Sequence, residues 1–178
     1  MFYDKFQKER TQALCEQDVG HNLLPVIEEP GFAEGVSSAD EWHRGLRFDH
    51  FAPFIDQALV EPRPDRAYGP SAQTLKRKIR EDLADLIRLS NRTRCITLPN
   101  FSIEVKGPDG KGKVAEQQAC YNAAFGPRAM HSLRAYGKRD ASAAFDGKAY
   151  TTSMTFESNS SALNLHEGHE GQAARLNM

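Results

Sequence analysis

The run NFSIEVK, residues 100–106, constrains the fold of this chain more than any other stretch. Apolar and polar residues alternate strictly along it, which is the two-residue period of a β-strand with one buried face. Because successive side chains of a strand point to opposite faces, we predict that Glu104 and Lys106 share its polar face. We expect Phe101, Ile103 and Val105 to hold the other face in a core. The segment GPDGKGK then ends the strand with turn residues.

Two helices are predicted on either side of this strand. In TLKRKIREDLADLIRL the apolar residues recur at helical spacing and form one stripe. The stripe consists of Leu75, Ile79, Leu83, Leu86 and Ile87. The segment VAEQQACYNAAFG predicts a second helix, which Gly126 and Pro127 should end or kink.

The remaining segments complete a mixed pattern. Residues 1–28 have patchy helical spacing, and Ser38 with Glu41 forms a capping-box pattern that predicts a helix to about Leu59, perturbed near Pro53. The stretch VEPRPDRAYGPS predicts a turn and then a short extended piece. AYTTSMTFES alternates like a strand, and ALNLH can return as its hairpin partner. The sequence therefore predicts an α/β fold around a small sheet.

Composition and charge limit the possible functions. The 178 residues suit one domain, and no apolar stretch approaches the roughly 18 to 20 residues that cross a bilayer, so we expect no membrane partner. The start of the chain lacks the apolar core of a secretory signal, which favours an intracellular location. A net charge of −1 neither favours nor excludes a polyanionic partner.

Three weaker features have structural interpretations. The cysteines, an odd number without a CxxC pair, are expected to be free buried thiols. The basic cluster from Lys76 to Arg80 is interpreted as a solvated helix face rather than a phosphate stripe, because acidic residues follow one turn later. His166 and His169 in HEGHE could bind a transition metal, but a polar tail is the preferred interpretation.

Three pieces of sequence together resemble the PD-(D/E)xK nuclease superfamily. They are Pro64-Asp65 at the start of an extended piece, Glu104-Val105-Lys106 on the strand, and Gln117-x-x-x-Tyr121 on the following helix. The last resembles the QxxxY motif of the RecB-like branch, and the region from LPNFSIEVK to MHSL is similar to a group of fungal proteins assigned to this superfamily. The resemblance implies a restriction-endonuclease-like core, a small mixed central sheet flanked by helices in an αβββαβ-like order. A helical insertion would separate Asp65 from Glu104.

The chemistry of phosphodiester cleavage explains why these residue types matter. Mg²⁺ or Mn²⁺ takes oxygen ligands, typically one or two carboxylates with waters and phosphate oxygens. Asp65 and Glu104 can supply the carboxylates, and the resemblance implies the Val105 carbonyl as a further ligand. Lys106 can offset negative charge that develops in the transition state.

Supporting residues are less defined by the sequence. Gln117 or Gln118 can share a helix face with Tyr121 and project toward the metal or the nucleic-acid backbone. Sites of this superfamily often include a further helical carboxylate upstream. The candidates for it are Glu28, Glu29, Glu41, Asp49 and Asp56.

The resulting hypothesis is a Mg²⁺-dependent nuclease acting on DNA or RNA. We expect an N-terminal helical extension (1–36), a nuclease-like domain (37–166) and a flexible polar tail (167–178). One alternative is a catalytically degenerate member that binds nucleic acid or protein without cleaving. Another is an interaction module in which Glu104 and Lys106 are a surface pair worth about 0 to 1 kcal/mol. The sequence leaves the oligomeric state open.

Overall fold

The structure is a computed structural model that describes residues 2–28, 40–54, 62–90, 95–138, 147–160 and 162–169. The elements in chain order are α1 (Phe2–Gln12), α2 (Glu16–Asp18), a π-helical segment (Val19–Leu23), α3 (Leu24–Ile27), β1 (Asp40–Arg44), β2 (Arg66–Pro70), a 3-10 turn (Ala72–Thr74), α4 (Arg77–Asp82), α5 (Ala84–Ile87), β3 (Phe101–Lys106), α6 (Gly112–Ala135), β4 (Ala149–Glu157) and β5 (Ala162–His169). None of the helices in these ranges is both long enough and apolar enough to cross a membrane.

The strands form one mixed sheet in the order β1-β2-β3-β4-β5. Only β3 and β4 are parallel, and α6 makes the crossover between them, as parallel pairing requires. The other neighbouring pairs are antiparallel, including the predicted hairpin of β4 and β5. This architecture confirms the α/β fold with a small mixed sheet flanked by helices.

Helices cover both faces of the sheet. On one face Val19, Leu23 and Leu24 pack against Ile103 and Val105. On the other face Phe125 and Ala129 of α6 share a core cluster with Ala67 of β2. The alternation of β3 is therefore confirmed, but the prediction that only one of its faces is buried is wrong. Glu104 and Lys106 are buried with only 3% and 9% exposure, because a second layer lies where solvent was expected.

The segment after Ser38 is not the predicted helix. Asp40–Arg44 forms an antiparallel strand with β2, in a register that pairs Trp42 with Tyr68. Pairing with a partner strand outweighed the local capping signal here, as tertiary context often does. Residues 45–54 are turns and loop, while Ser38 and residues 55–59 lie outside the described part of the chain.

The helix predicted around residues 75–87 is divided into α4 and α5 at Leu83. Backbone carbonyls of α5 accept hydrogen bonds from other segments. The Asp85 carbonyl accepts from the Ala52 N–H, and the Ile87 carbonyl accepts from the Leu98 N–H. The predicted apolar stripe still packs on the core. Most of the basic cluster is a solvated face as expected, with exposed ion pairs from Arg77 to Glu81 and from Lys78 to Asp82, whereas Arg80 is half-buried.

Three further expectations are corrected. The helix α6 continues through Gly126 and Pro127 to Ala135, so these residues do not end it. All three cysteines are free, but only Cys95 is buried, whereas Cys15 and Cys120 are exposed. The strand β5 extends to His169, so His166 and His169 belong to the sheet rather than to a polar tail.

Candidate functional site

The candidate site lies where β2 and β3 meet at one end of their ladder. The last antiparallel pair is Arg66 with Ile103, so continuing the register by one residue places Asp65 opposite Glu104. The Val105 N–H donates to Oδ2 of Asp65 at 2.9 Å. In a strand the N–H and C=O of one residue point to the same edge, so the Val105 carbonyl is also directed toward this side. The fold thereby brings the PD residue and the ExK strand together.

Glu104 is a buried carboxyl group with one specific partner. Nδ2 of Asn122 on α6 donates to its Oε1 at 2.5 Å. Burial and the nearby negative charge of Asp65 raise the pKa of Glu104 from 4.5 to about 8. The positive charge of Lys106 and the bond from Asn122 act in the opposite direction. The carboxyl group therefore retains its proton well above the usual pH, unless a cation offsets the charge.

Lys106 is held by a residue from the N-terminal helices. Its Nζ lies 3.1 Å from Oε2 of Glu16, which begins α2. The next residue, Gly107, packs directly against this helix start, because a Cβ at Gly107 would lie 2.5 Å from the Glu16 backbone nitrogen and 2.8 Å from the Cys15 carbonyl carbon. The turn after β3 thus fixes α2 against the strand that carries the site.

Glu16 is a helical carboxylate upstream in the chain that contacts Lys106, and it was not among the predicted candidates. Its charge acts on both Asp65 and Glu104, raising the pKa of each. Of the candidates, Glu28 bonds to Arg66 at 3.2 Å and to the Tyr68 hydroxyl. Asp49 is exposed, while Glu29, Asp56 and the side chain of Glu41 lie outside the described part of the chain. No local pattern marks Glu16, because its contact spans 90 residues.

A cleft of about 310 Å³ opens beside this group. Its lining residues are Glu16, Gln17, Gly20, Leu24, Arg44 and Asp65. Burial is the main cause that raises the pKa of Asp65, with a contribution from the Glu16 charge. The Val105 N–H and the positive charges of Lys106 and Arg44 partly offset this rise. Both signs of charge therefore meet at the cleft.

The predicted QxxxY residues do not join the site. Gln117 and Gln118 are exposed on α6, and Tyr121 packs its ring against Phe54 and Phe125. The α6 residue that reaches the site is Asn122, one turn beyond Gln118. Sequence spacing offered a signal for it, since Ala115, Ala119 and Asn122 recur at the interval of one buried helix face.

The donor atoms at this point are suited to a hard divalent cation. In the described ranges no group of three or more His, Cys, Asp or Glu side chains is placed to hold a metal ion. A cation here would instead have the carboxylates of Asp65 and Glu104, the Val105 carbonyl, and oxygens from water or phosphate. That is the mixed ligand set typical of Mg²⁺ in phosphate-processing sites. The raised pKa of Glu104 fits the same set, because two close carboxylates need a cation to remain ionised together.

A family model described as Domain of unknown function (DUF7924) matches residues 3–166. No curated protein matches the chain, and no solved structure matches it.

Proposed function

We propose that this chain, which belongs to the DUF7924 family, is a metal-dependent nuclease domain that hydrolyses phosphodiester bonds of nucleic acid. The family description assigns no activity, so the proposal depends on the site itself. One observation carries it: the Asp65 carboxylate bonds to the backbone N–H of Val105, the residue between Glu104 and Lys106. The charge of Asp65 also acts on Glu104, and the charge of Lys106 acts on both carboxyl groups, although Asp65 and Val105 are 40 residues apart in sequence.

Asp65, Glu104 and the Val105 carbonyl would hold Mg²⁺ or Mn²⁺. When bound, the cation supplies Lewis-acid chemistry, withdrawing charge from a phosphate and lowering the pKa of a water. The protein fixes its own donors beforehand. The Val105 N–H orients Asp65, and Asn122 orients Glu104. Preorganised ligands of this kind lower the reorganisation needed when a phosphodiester binds.

Lys106 supplies the positive charge expected near the reacting phosphate. Its side chain is only 11% exposed, so its ammonium is less screened than one on the surface. Glu16, at 49% exposure, can move toward solvent when a phosphate oxygen takes its place. We also propose that the core has a restriction-endonuclease-like arrangement. The same proposal places the protein inside the cell, where nucleic acid is present.

The test is cleavage of end-labelled single-stranded and double-stranded DNA and RNA by the purified chain. Cleavage should require Mg²⁺ or Mn²⁺ and stop in excess EDTA. Glu104→Gln keeps an acceptor for Asn122 but removes the charge, so we expect the rate to fall by about a hundredfold or more. Glu116→Gln makes the same change at an exposed position of α6 and should leave the rate unchanged.

Either of two results would contradict this proposal. Either wild type fails to cleave every substrate class with both metals, or Glu104→Gln cleaves as fast as wild type. Circular dichroism and thermal melting of each variant separate loss of chemistry from loss of folding.

A second candidate is a degenerate member of the same fold that binds nucleic acid without cleaving it. Two observations favour it: Lys106 is already paired with Glu16, and Gln117, Gln118 and Tyr121 lie away from the carboxylates. Such a protein would bind oligonucleotides without metal, with affinity that falls steeply as salt rises. Oligonucleotide binding in an anisotropy titration, without metal-dependent cleavage in the assay above, would select this candidate.

A further inference from the structure

We propose that Arg44 is the phosphate-binding residue of the cleft, where its guanidinium receives a backbone phosphate of a nucleic-acid strand. The identity of the ligand rests on the proposed function, whereas the cation itself is a feature of the cleft. Arg44 ends β1, so the strand places its side chain beside the π-helical segment and Asp65.

Among the described residues that line the cleft, Arg44 is the one cation. The same lining carries Glu16 and Asp65, whose negative charges would repel a phosphate approaching alone. A guanidinium opposite these carboxylates offsets that repulsion, and it can bind two phosphate oxygens at once. A phosphate held there would lie next to Asp65, one of the two carboxylates that we assign to the metal.

The cleft wall passes close to the Arg44 guanidinium at Gly20. A Cβ at Gly20 would lie 3.1 Å from Nη2 of Arg44, so the absence of a side chain at Gly20 leaves room for the guanidinium. Gly20 belongs to the π-helical segment Val19–Leu23. Single π-helical turns are rare and occur frequently at functional sites.

His21 lies beside one nitrogen of the guanidinium. Nη2 of Arg44 lies 3.0 Å from Nδ1 of His21. The same Nδ1 lies 2.9 Å from the Gln17 carbonyl oxygen, which can only accept, so Nδ1 can bond to only one of these two neighbours at a time. Arg44 has five N–H groups, and a single bond to His21 leaves donors for a phosphate.

The neighbouring arginine on the sheet shows the contrast. Arg66 lies directly opposite Arg44 in the β1–β2 register, but it is buried and paired with Glu28. Arg44 is exposed, and its charge acts on Asp65 without a close ion pair to any carboxylate of the described residues. The guanidinium of Arg66 is therefore bonded within the fold, whereas the guanidinium of Arg44 keeps donors that a ligand can reach.

The test is fluorescence anisotropy with a labelled single-stranded oligonucleotide, with Ca²⁺ in place of Mg²⁺, at several salt concentrations. We expect Arg44→Gln to weaken binding by roughly tenfold and to reduce the slope of log affinity against log salt by about 0.7. Arg44→Lys should recover part of the affinity, because it keeps the charge and loses the fork. Arg77→Gln removes an exposed charge outside the cleft and should bind close to wild type.

Each outcome addresses the inference separately from the proposed function. Equal binding by Arg44→Gln and wild type, or no binding by wild type, overturns the assignment of Arg44. Binding that depends on Arg44 without metal-dependent cleavage supports the assignment and overturns the nuclease proposal. Thermal melting of Arg44→Gln and Arg44→Lys verifies that each variant is folded.

Discussion

Nζ of Lys106 lies 3.1 Å from Oε2 of Glu16, and this contact joins the strand that carries the candidate site to the N-terminal helices. The lysine is almost enclosed, while the glutamate is half exposed at the rim of the cleft. Gly107 seats the start of α2 directly against the turn that follows Lys106. The N-terminal helices are therefore part of the site, because they supply one of its charged groups and one wall of its cleft.

Replacing Glu16 should strengthen nucleic-acid binding. Glu16→Gln removes a negative charge from the cleft and frees Lys106 to contact a phosphate, so we expect tighter oligonucleotide binding and a steeper salt dependence. The free energy of unfolding should change by no more than about 1 kcal/mol, because Glu16 is half exposed. Anisotropy titrations measure the first effect and urea denaturation the second. Weaker binding would instead assign Glu16 to the ligands of the substrate or cation.

The pH dependence of stability should report the protonation of Glu104. Its pKa rises from 4.5 to about 8 on folding, so the folded protein binds more protons than the unfolded chain between these values. The contribution of Glu104 to the free energy of unfolding should therefore be most favourable below pH 4.5. It should fall as pH rises toward 8, by at most about 1.4 kcal/mol per pH unit. Urea denaturation across this range measures the fall.

Glu104→Gln provides the matched variant for that experiment. An amide does not titrate, so the slope between pH 5 and 8 should be shallower than in wild type, while Glu116→Gln should keep the wild-type slope. If wild type and Glu104→Gln show the same slope, the carboxyl group is not protonated in the folded protein as described.

Metal affinity should follow the same group. A cation bound to Glu104 must displace its proton, so Mn²⁺ binding should become tighter as pH rises to about 8 and level off above it. Calorimetry in two buffers of different ionisation enthalpy measures the released proton directly. Binding that is unchanged between pH 6 and 8 would exclude Glu104 as a ligand, and Glu104→Gln should remove this pH dependence.

Local sequence patterns predicted the elements whose periodicity is strong. The alternation in 100–106 predicted β3, and AYTTSMTFES with ALNLH predicted the hairpin of β4 and β5, although β5 continues beyond that prediction to His169. The capping pattern at Ser38 and Glu41 misled, since strand pairing with β2 determined the structure of residues 40–44. Periodicity also identified which side of β3 is apolar, but it could not show that helices cover both sides.

The site was predictable to the extent that it lies on short motifs. Asp65 and the ExK strand were selected because together they resemble the PD-(D/E)xK pattern, and the fold brings these two segments together. Glu16 contacts Lys106 across 90 residues, so only the packing of α2 against Gly107 reveals it. Asn122 could have been predicted, because its spacing from Ala115 and Ala119 places it on the buried face of α6. The QxxxY resemblance instead pointed to Gln117, which is exposed.

The fit between Gly107 and α2 should tolerate no added side chain. Gly107→Ala would place a Cβ against backbone atoms of Cys15 and Glu16, which cannot rotate away. We expect it to lower the free energy of unfolding by about 1 to 3 kcal/mol, the usual cost of overpacking. Asp109→Ala, at an exposed position of the same turn, should change it by less than about 0.5 kcal/mol. An undiminished melting temperature for Gly107→Ala would show that α2 is not seated there.

Asn122 should matter to Glu104 more than either glutamine of α6. Its Nδ2 donates to Oε1 of a buried carboxyl group, so Asn122→Ala leaves that group without its donor, at a cost of about 1 to 3 kcal/mol in the free energy of unfolding. Gln117→Ala and Gln118→Ala, at exposed positions of the same helix, should each cost less than about 0.5 kcal/mol.

The loss at Asn122 should also depend on pH, which distinguishes it from simple loss of packing. A hydrogen bond to a carboxylate is stronger than one to a neutral carboxyl group, so the bond from Asn122 favours the ionised form. Without it the pKa of Glu104 should rise further, and the destabilisation should be larger at pH 9 than at pH 6. Urea denaturation at both pH values measures this difference. Equal losses at the two pH values would mean that Asn122 acts through packing alone and does not hold the carboxylate.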